Sequence, residues 1–136
     1  MARSTNEQSV LRYWRDVWSK GDLRAVGEFY AQTFRLNGEE ETVERFAEHV
    51  EAWRAHFEDF TAEVDKLFTC GDVVVGRAIF RGRHVGDLWS VPATGKMTEV
   101  TGIDVFEFEG GHVVDHWHEA DHFAMLQQMG AEPRPA

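Results

Sequence analysis

Gly102-Ile103-Asp104-Val105-Phe106-Glu107-Phe108-Glu109-Gly110-Gly111-His112-Val113-Val114-Asp115-His116-Trp117-His118-Glu119-Ala120-Asp121 decides the fold. Two alternating segments flank a Glu-Gly-Gly turn, the pattern of a β-hairpin. On the first strand Asp104 shares parity with Gly102, Phe106 and Phe108, so the carboxylate is expected to face inward with the phenylalanines. A carboxylate on a core-facing strand costs free energy unless it is solvated, paired or used. Desolvation would raise its pKa toward the range useful for proton transfer, which makes Asp104 a candidate acid/base. The structural alternative is an acid paired with an arginine or a tryptophan N–H.

Outward from the hairpin, the chain reads as helices first and strands last. Ser4 and Glu7 form a capping box, followed by Val10, Tyr13, Trp14, Val17 and Trp18 at helical spacing. Lys20-Gly21 ends this helix, and Leu23, Val26, Phe29, Tyr30 and Phe34 carry the apolar face of a second. After Asn37-Gly38, the acids Glu39 to Glu41 suit the first turn of a third helix, with Val43, Phe46, Ala47, Val50, Trp53 and Phe57 on its apolar side. Past Asp59 the period changes from helical to alternating. Strands are predicted over 60–68, 72–83, 97–108 and 112–119, with a closing helix over 121–129 that packs Phe123, Met125 and Leu126. Three helices and a four-stranded antiparallel meander make an α+β fold, a single domain over 1–136 with 1–4 and 131–136 frayed. Long strands twist and curl over the helices, leaving a cavity between the layers.

Composition narrows the partners. The chain has 136 residues and a formal charge of −10, with 24 acidic against 14 basic residues. It offers no basic stripe for nucleic acid or for an anionic membrane surface. One cysteine, Cys70, rules out an internal disulfide and is expected to be a buried, inert thiol. No apolar signal core or membrane-length stretch is present, so cytoplasmic residence is expected.

Several further residues bear on chemistry. Asp121 ends the last strand and fits equally an N-cap of the closing helix. Trp117, on the parity of Asp121, is expected to wall the cavity or to fill the core. His116 lies on the opposite parity and is expected to face solvent or a dimer interface, turning inward only if the strand is bulged. His116 and His118 share a face, as a His-x-His metal site needs, but alternation sends them away from Asp121, so no metal is expected. His84 follows Arg81-Gly82-Arg83 near a strand end, a position that suits a surface-loop histidine. The aromatics Trp14, Trp18, Tyr30, Phe34, Trp53 and Phe106 fill the core and, with Trp117, are candidates to stack on a flat ligand. The Val91-to-Lys96 loop lacks the glycine pattern of a phosphate cradle, and no nucleophile elbow is present.

Three features together resemble the SnoaL-like polyketide cyclase family, within the nuclear-transport-factor-2-like (ketosteroid-isomerase-like) superfamily. They are Val91-Pro92-Ala93-Thr94-Gly95-Lys96, Gly102-Ile103-Asp104-Val105-Phe106, and His116-Trp117 with Asp121 and Leu126-Gln127-Gln128-Met129-Gly130. The resemblance spans essentially the whole chain. It implies a cone-shaped α+β barrel with a deep pocket, a homodimer through the outer sheet face, and no metal or organic cofactor. It also implies a general acid/base at Asp121 for an intramolecular aldol closure, with a histidine at His84 close to the pocket. The chain departs from the family pattern at His118 and Ala120, where glycine and an aromatic residue are common, and in the short acidic segment Arg35 to Glu41.

The expectation is therefore an acid/base enzyme in which Asp121, Asp104 and His84 act on a mostly apolar carbonyl compound. Two alternatives stand beside it. Paired carboxylates would suit an epoxide hydrolase, an isomerase or a cyclic-ether synthase, and a chain without chemistry would be a small-molecule binding module.

Overall fold

The computed structural model describes residues 4–131. Of the ends predicted to fray, 1–3 and 132–136 lie outside the described residues, whereas Ala131 N donates to Leu126 O at 2.9 Å and the Ser4 side chain accepts from Glu7 N, completing the predicted capping box of α1 (Thr5–Tyr13). A π-helical segment, Trp14–Ser19, continues α1, and α2 is Arg24–Phe29. Then come β1 (Tyr30–Leu36), β2 (Glu39–Thr42), α3 (Val43–Arg54), β3 (Phe57–Cys70), β4 (Val73–His84), β5 (Met97–Glu109), β6 (His112–Ala120) and α4 (His122–Gln128).

The six strands form one open mixed sheet in the order β2-β1-β6-β5-β4-β3, with β1 parallel to β6 and the other pairings antiparallel. This corrects the four-stranded meander. The second predicted helix stops at Phe29, because Tyr30 to Leu36 pairs along β6 instead. Asn37 and Gly38 both have positive φ and turn β1 back onto β2 as a two-residue hairpin. Glu39 to Glu41 therefore lie in a strand, and Thr42 caps α3 by accepting from Arg45 N. Phe57, predicted at the end of the third helix, opens β3.

The helices cover the inner face of the sheet, where the aromatic core collects. Tyr13 stacks on Phe29 at 4.1 Å, Tyr30 stacks on Phe34 at 4.1 Å, and Phe106 meets Trp14 edge-on at 5.4 Å. Gly76 makes this packing possible: a Cβ there would lie 2.5 Å from the Trp14 ring. Cys70, at the end of β3, is exposed rather than buried. Phe123 is exposed too, while Met125 and Leu126 of α4 pack on the core as predicted, joined by Met129. None of the described helices is long and apolar enough to cross a membrane.

Candidate active site

The π-helical segment, α3, the inner sheet face and α4 enclose a cavity of about 420 Å³. This lies in the usual size range for small-molecule sites. Its wall is mostly apolar, with Trp14, Trp18, Phe46, Trp53, Phe60 and Phe80 among the lining residues. The polar side chains on it are chiefly Asn37, Asp104, His49, His116, His118 and His122.

Asp104 faces inward as predicted, only 2 % exposed. Its partners are two imidazoles rather than an arginine or an indole. His116 Nε2 lies 2.6 Å and His118 Nδ1 2.7 Å from the same oxygen, Oδ1. Oδ2 is buried and accepts no hydrogen bond among the described residues.

Strand register builds this triad. Asp104 sits directly opposite His118 across the β5–β6 ladder, and Phe106 sits opposite His116. Directly opposed residues share a face, and the diagonal neighbour is within reach of a long side chain. His116 reaches that face because the register slips by one residue between Glu107 and Phe108. Val113 pairs with Phe108 and Asp115 with Glu107, leaving Val114 as the extra residue of a β-bulge. The bulge reverses parity along β6, and this corrects three expectations together. His116 is buried, His118 faces the cavity, and Trp117 is turned outward and 50 % exposed. The signal was present in the sequence: Val113-Val114 doubles an apolar residue and interrupts the alternation.

Behind His116 runs a buried polar chain. Its Nδ1 is 2.9 Å from the Tyr30 hydroxyl, which is 2.8 Å from that of Tyr13, which accepts from Trp18 Nε1 at 2.8 Å. The π-helical turn allows the last contact, since it carries Trp18 over Tyr13 five residues earlier. Asp104 is held below the ordinary carboxylate range, because the two imidazole hydrogen bonds outweigh its strong desolvation. Burial pushes His116 down, against the opposing pull of Asp104. A neutral His116 donating from Nε2 to Asp104 must accept at Nδ1. His118 is desolvated as well, yet the hydrogen bond and charge of Asp104 prevail and raise its pKa. Its Nδ1 is committed to Asp104, which leaves Nε2 available to a molecule in the cavity.

The donor atoms of Asp104, His116 and His118 lie within 4.8 Å of one another, so these three residues could also hold a metal ion. Both nitrogens, however, stand at hydrogen-bond distance from one carboxylate oxygen, not arrayed around a shared centre. The donor set fits proton chemistry better than coordination.

The other candidates scatter. Asp121 is exposed, caps α4 by accepting from Ala124 N at 2.9 Å, and does not line the cavity. His84 is fully buried: its Nδ1 accepts from Thr94 N at 3.3 Å, and it too is absent from the cavity wall. Of the seven aromatics proposed to hold a ligand, Trp14, Trp18 and Trp53 line the cavity. Tyr30, Phe34 and Phe106 support it from the core, and Trp117 lies outside. Trp89 and His122, not anticipated, close on its mouth with ring centres 4.8 Å apart.

The family model for SnoaL-like polyketide cyclases matches residues 8–129. Among solved structures, TsrD from Streptomyces laurentii is 28 % identical with a TM-score of 0.87, covering 96 % of this chain and 98 % of its own. A candidate polyketide cyclase from Acidithiobacillus ferrooxidans is 28 % identical, with a TM-score of 0.86 and coverage of 96 % and 97 %. IdmH, a candidate polyketide cyclase from Streptomyces antibioticus, is 26 % identical, with a TM-score of 0.83 and coverage of 94 % and 100 %. No curated protein sequence matches the chain.

Proposed function

The chain belongs to the SnoaL-like polyketide cyclase family, with its nuclear-transport-factor-2-like fold, and from that premise we propose an acid/base enzyme whose working pair is His118 and Asp104. The substrate is a mostly apolar, carbonyl-bearing small molecule, and the reaction is an intramolecular aldol-type cyclisation without a cofactor. One observation carries the reading: a buried carboxylate orients an imidazole whose second nitrogen remains open on an apolar cavity.

The neutral His118 Nε2 removes a proton from the carbon beside a substrate carbonyl. The imidazolium that forms is stabilised through Nδ1–H by Asp104, which stays ionised. The enolate carbon attacks an internal carbonyl, a carbon–carbon bond forms, and the new alkoxide takes the proton back from Nε2. Protons balance over the cycle. His116, held by Tyr30, fixes Asp104 and is a positioning residue. The cavity adds rate by folding the substrate into its reactive shape.

Asp104 is the one carboxylate among the described residues lining the cavity, which weighs against epoxide opening by two facing acids. We propose further that the outer sheet face, where Ile103 and Trp117 are about half exposed, makes a homodimer contact. Sedimentation of Ile103→Lys against the natural chain checks it.

Deuterium uptake from heavy water into a panel of β-keto esters and fused-ring ketones tests the chemistry. Uptake catalysed by the natural chain and lost in both His118→Gln and Asp104→Asn is the expected result. Uptake that survives His118→Gln but not Asp104→Asn moves the base to the bare Oδ2 of Asp104. Uptake unaffected by either variant contradicts the assignment.

A further inference from the structure

The cavity mouth carries imidazoles that the proton transfer does not use. Four histidines line the cavity, and the described lining residues include no lysine or arginine. His116 is occupied at both nitrogens and His118 at one. The imidazoles of His49 from α3 and His122 from the start of α4 make no hydrogen bond among the described residues, and both are solvent-reachable at the opening. His49 from α3, His118 from β6 and His122 from α4 all line this one cavity, so three elements bring imidazoles to its wall. Aromatic rings flank them: His122 lies 4.8 Å from Trp89 and 6.0 Å from Trp53, and His49 lies 6.1 Å from Phe46.

We infer that the substrate bears a carboxylate, bound at the mouth by His49 and His122 while its apolar body enters the cavity. The inference rests on the cavity being the substrate site. An imidazole pair suits a single negative charge on an apolar molecule, whereas a phosphate calls for the arginine or lysine donors that this wall lacks. Neighbouring acids do not satisfy the pair. Glu41, facing His49, is engaged by Arg45 at 2.7 Å, Asp121 beside His122 caps α4, and Asp104 is committed to His116 and His118. Glu119, next to His118, is exposed. Without ligand, burial and the charge of His118 hold His49 and His122 below the ordinary imidazole range, the acids Glu41 and Asp121 only partly opposing this. A bound carboxylate reverses the balance and draws in a proton. Affinity should therefore rise as pH falls, although the chain as a whole is acidic, at −10.

Calorimetric titration with 2-naphthoate and with its methyl ester, in two buffers of different ionisation enthalpy, tests this. The carboxylate should bind roughly tenfold tighter at about pH 6 than at about pH 8, with uptake of about one proton, while the ester shows neither effect. In the His49→Gln/His122→Gln double variant the pH dependence and the preference for the carboxylate should vanish, with ester binding retained as proof of an intact cavity. Three results overturn the inference: equal or tighter binding of the ester, a pH dependence that survives in the double variant, or no binding of either probe. The two proposals fail separately. Carboxylate recognition without α-proton exchange would remove the enolisation chemistry alone, and exchange on neutral ketones without carboxylate preference would remove the anion site alone.

Discussion

The β4–β5 and β5–β6 ladders share a strand yet differ in kind. Between β4 and β5 the register runs unbroken from Val73↔Glu107 to Arg83↔Met97, and inner residues alternate with outer ones throughout. That face is almost wholly packing: Val74, Ala78, Phe80, Val100 and Phe106 belong to one core. Between β5 and β6 a single extra residue changes the parity, and imidazoles take positions that regular alternation would give to Asp115 and Trp117. The regular ladder builds the wall, and the irregular one supplies the chemistry. Bulges often serve to re-aim side chains beside functional sites, and here one re-aims two histidines onto Asp104.

The contrast breaks most visibly if the wrong ladder controls activity. Asp104→Asn and His118→Gln should each lower α-proton exchange by about 10²- to 10⁴-fold, the usual yield of positioned acid–base catalysis. Val74→Ala, fully buried on the regular ladder, should instead cost about 2 kcal/mol of stability and leave the exchange rate per folded molecule nearly unchanged. Chemical denaturation and exchange assays on the same samples separate the two. Equal losses of activity from both ladders would abolish the distinction.

A pH series sharpens it. Catalysis through neutral His118 should rise with pH through a pKa above the ordinary imidazole value, since Asp104 raises it. Asp104→Asn should move that limb toward lower pH while depressing its height. Stability follows the same linkage. The raised His118 pKa contributes stability that is full below about pH 6.5 and is lost as pH rises through the folded-state value. The depressed Asp104 pKa contributes above about pH 4 and is lost as pH falls through its folded value. His116, held neutral by burial, favours the folded state above about pH 6.5 and penalises it progressively below. Melting of Asp104→Asn should accordingly lack the alkaline decline seen in the natural chain.

Smaller effects belong to the supports. Tyr30→Phe removes the hydroxyl that orients His116 and should cost about 1 kcal/mol, with a measurable fall in exchange that Val74→Ala does not show. Asp121→Ala removes an N-cap worth about 1 kcal/mol and should leave exchange unchanged, as denaturant titration and the same assay will show.

Much of this was legible where periodicity is regular. Gly102, Asp104, Phe106 and Phe108 face inward as their alternation requires, and the capping box at Ser4 and Glu7 forms as written. Short elements were harder. Tyr30 and Phe34 fit a helical face as well as a strand, and only pairing with β6, distant in sequence, decides for the strand. Parity near the bulge was illegible for a related reason. Alternation assigns His116 and Trp117 oppositely, and one inserted residue reverses both without changing composition. Asp121 shows the limit of motif placement: an aspartate before a helix satisfies a cap and a catalytic expectation equally, and its N-cap bond together with its absence from the cavity wall decides for the cap.

The central claim is that Asp104 and His118 form one proton-transfer unit on the cavity. Nitrogen-15 NMR titration of the histidine rings, in the natural chain and in Asp104→Asn, tests it most directly. The account predicts that His118 titrates above the ordinary imidazole pKa with its Nδ1–H hydrogen-bonded, that His116 stays neutral with its proton on Nε2, and that Asp104→Asn lowers the His118 value. An unperturbed His118 that ignores the substitution would contradict it.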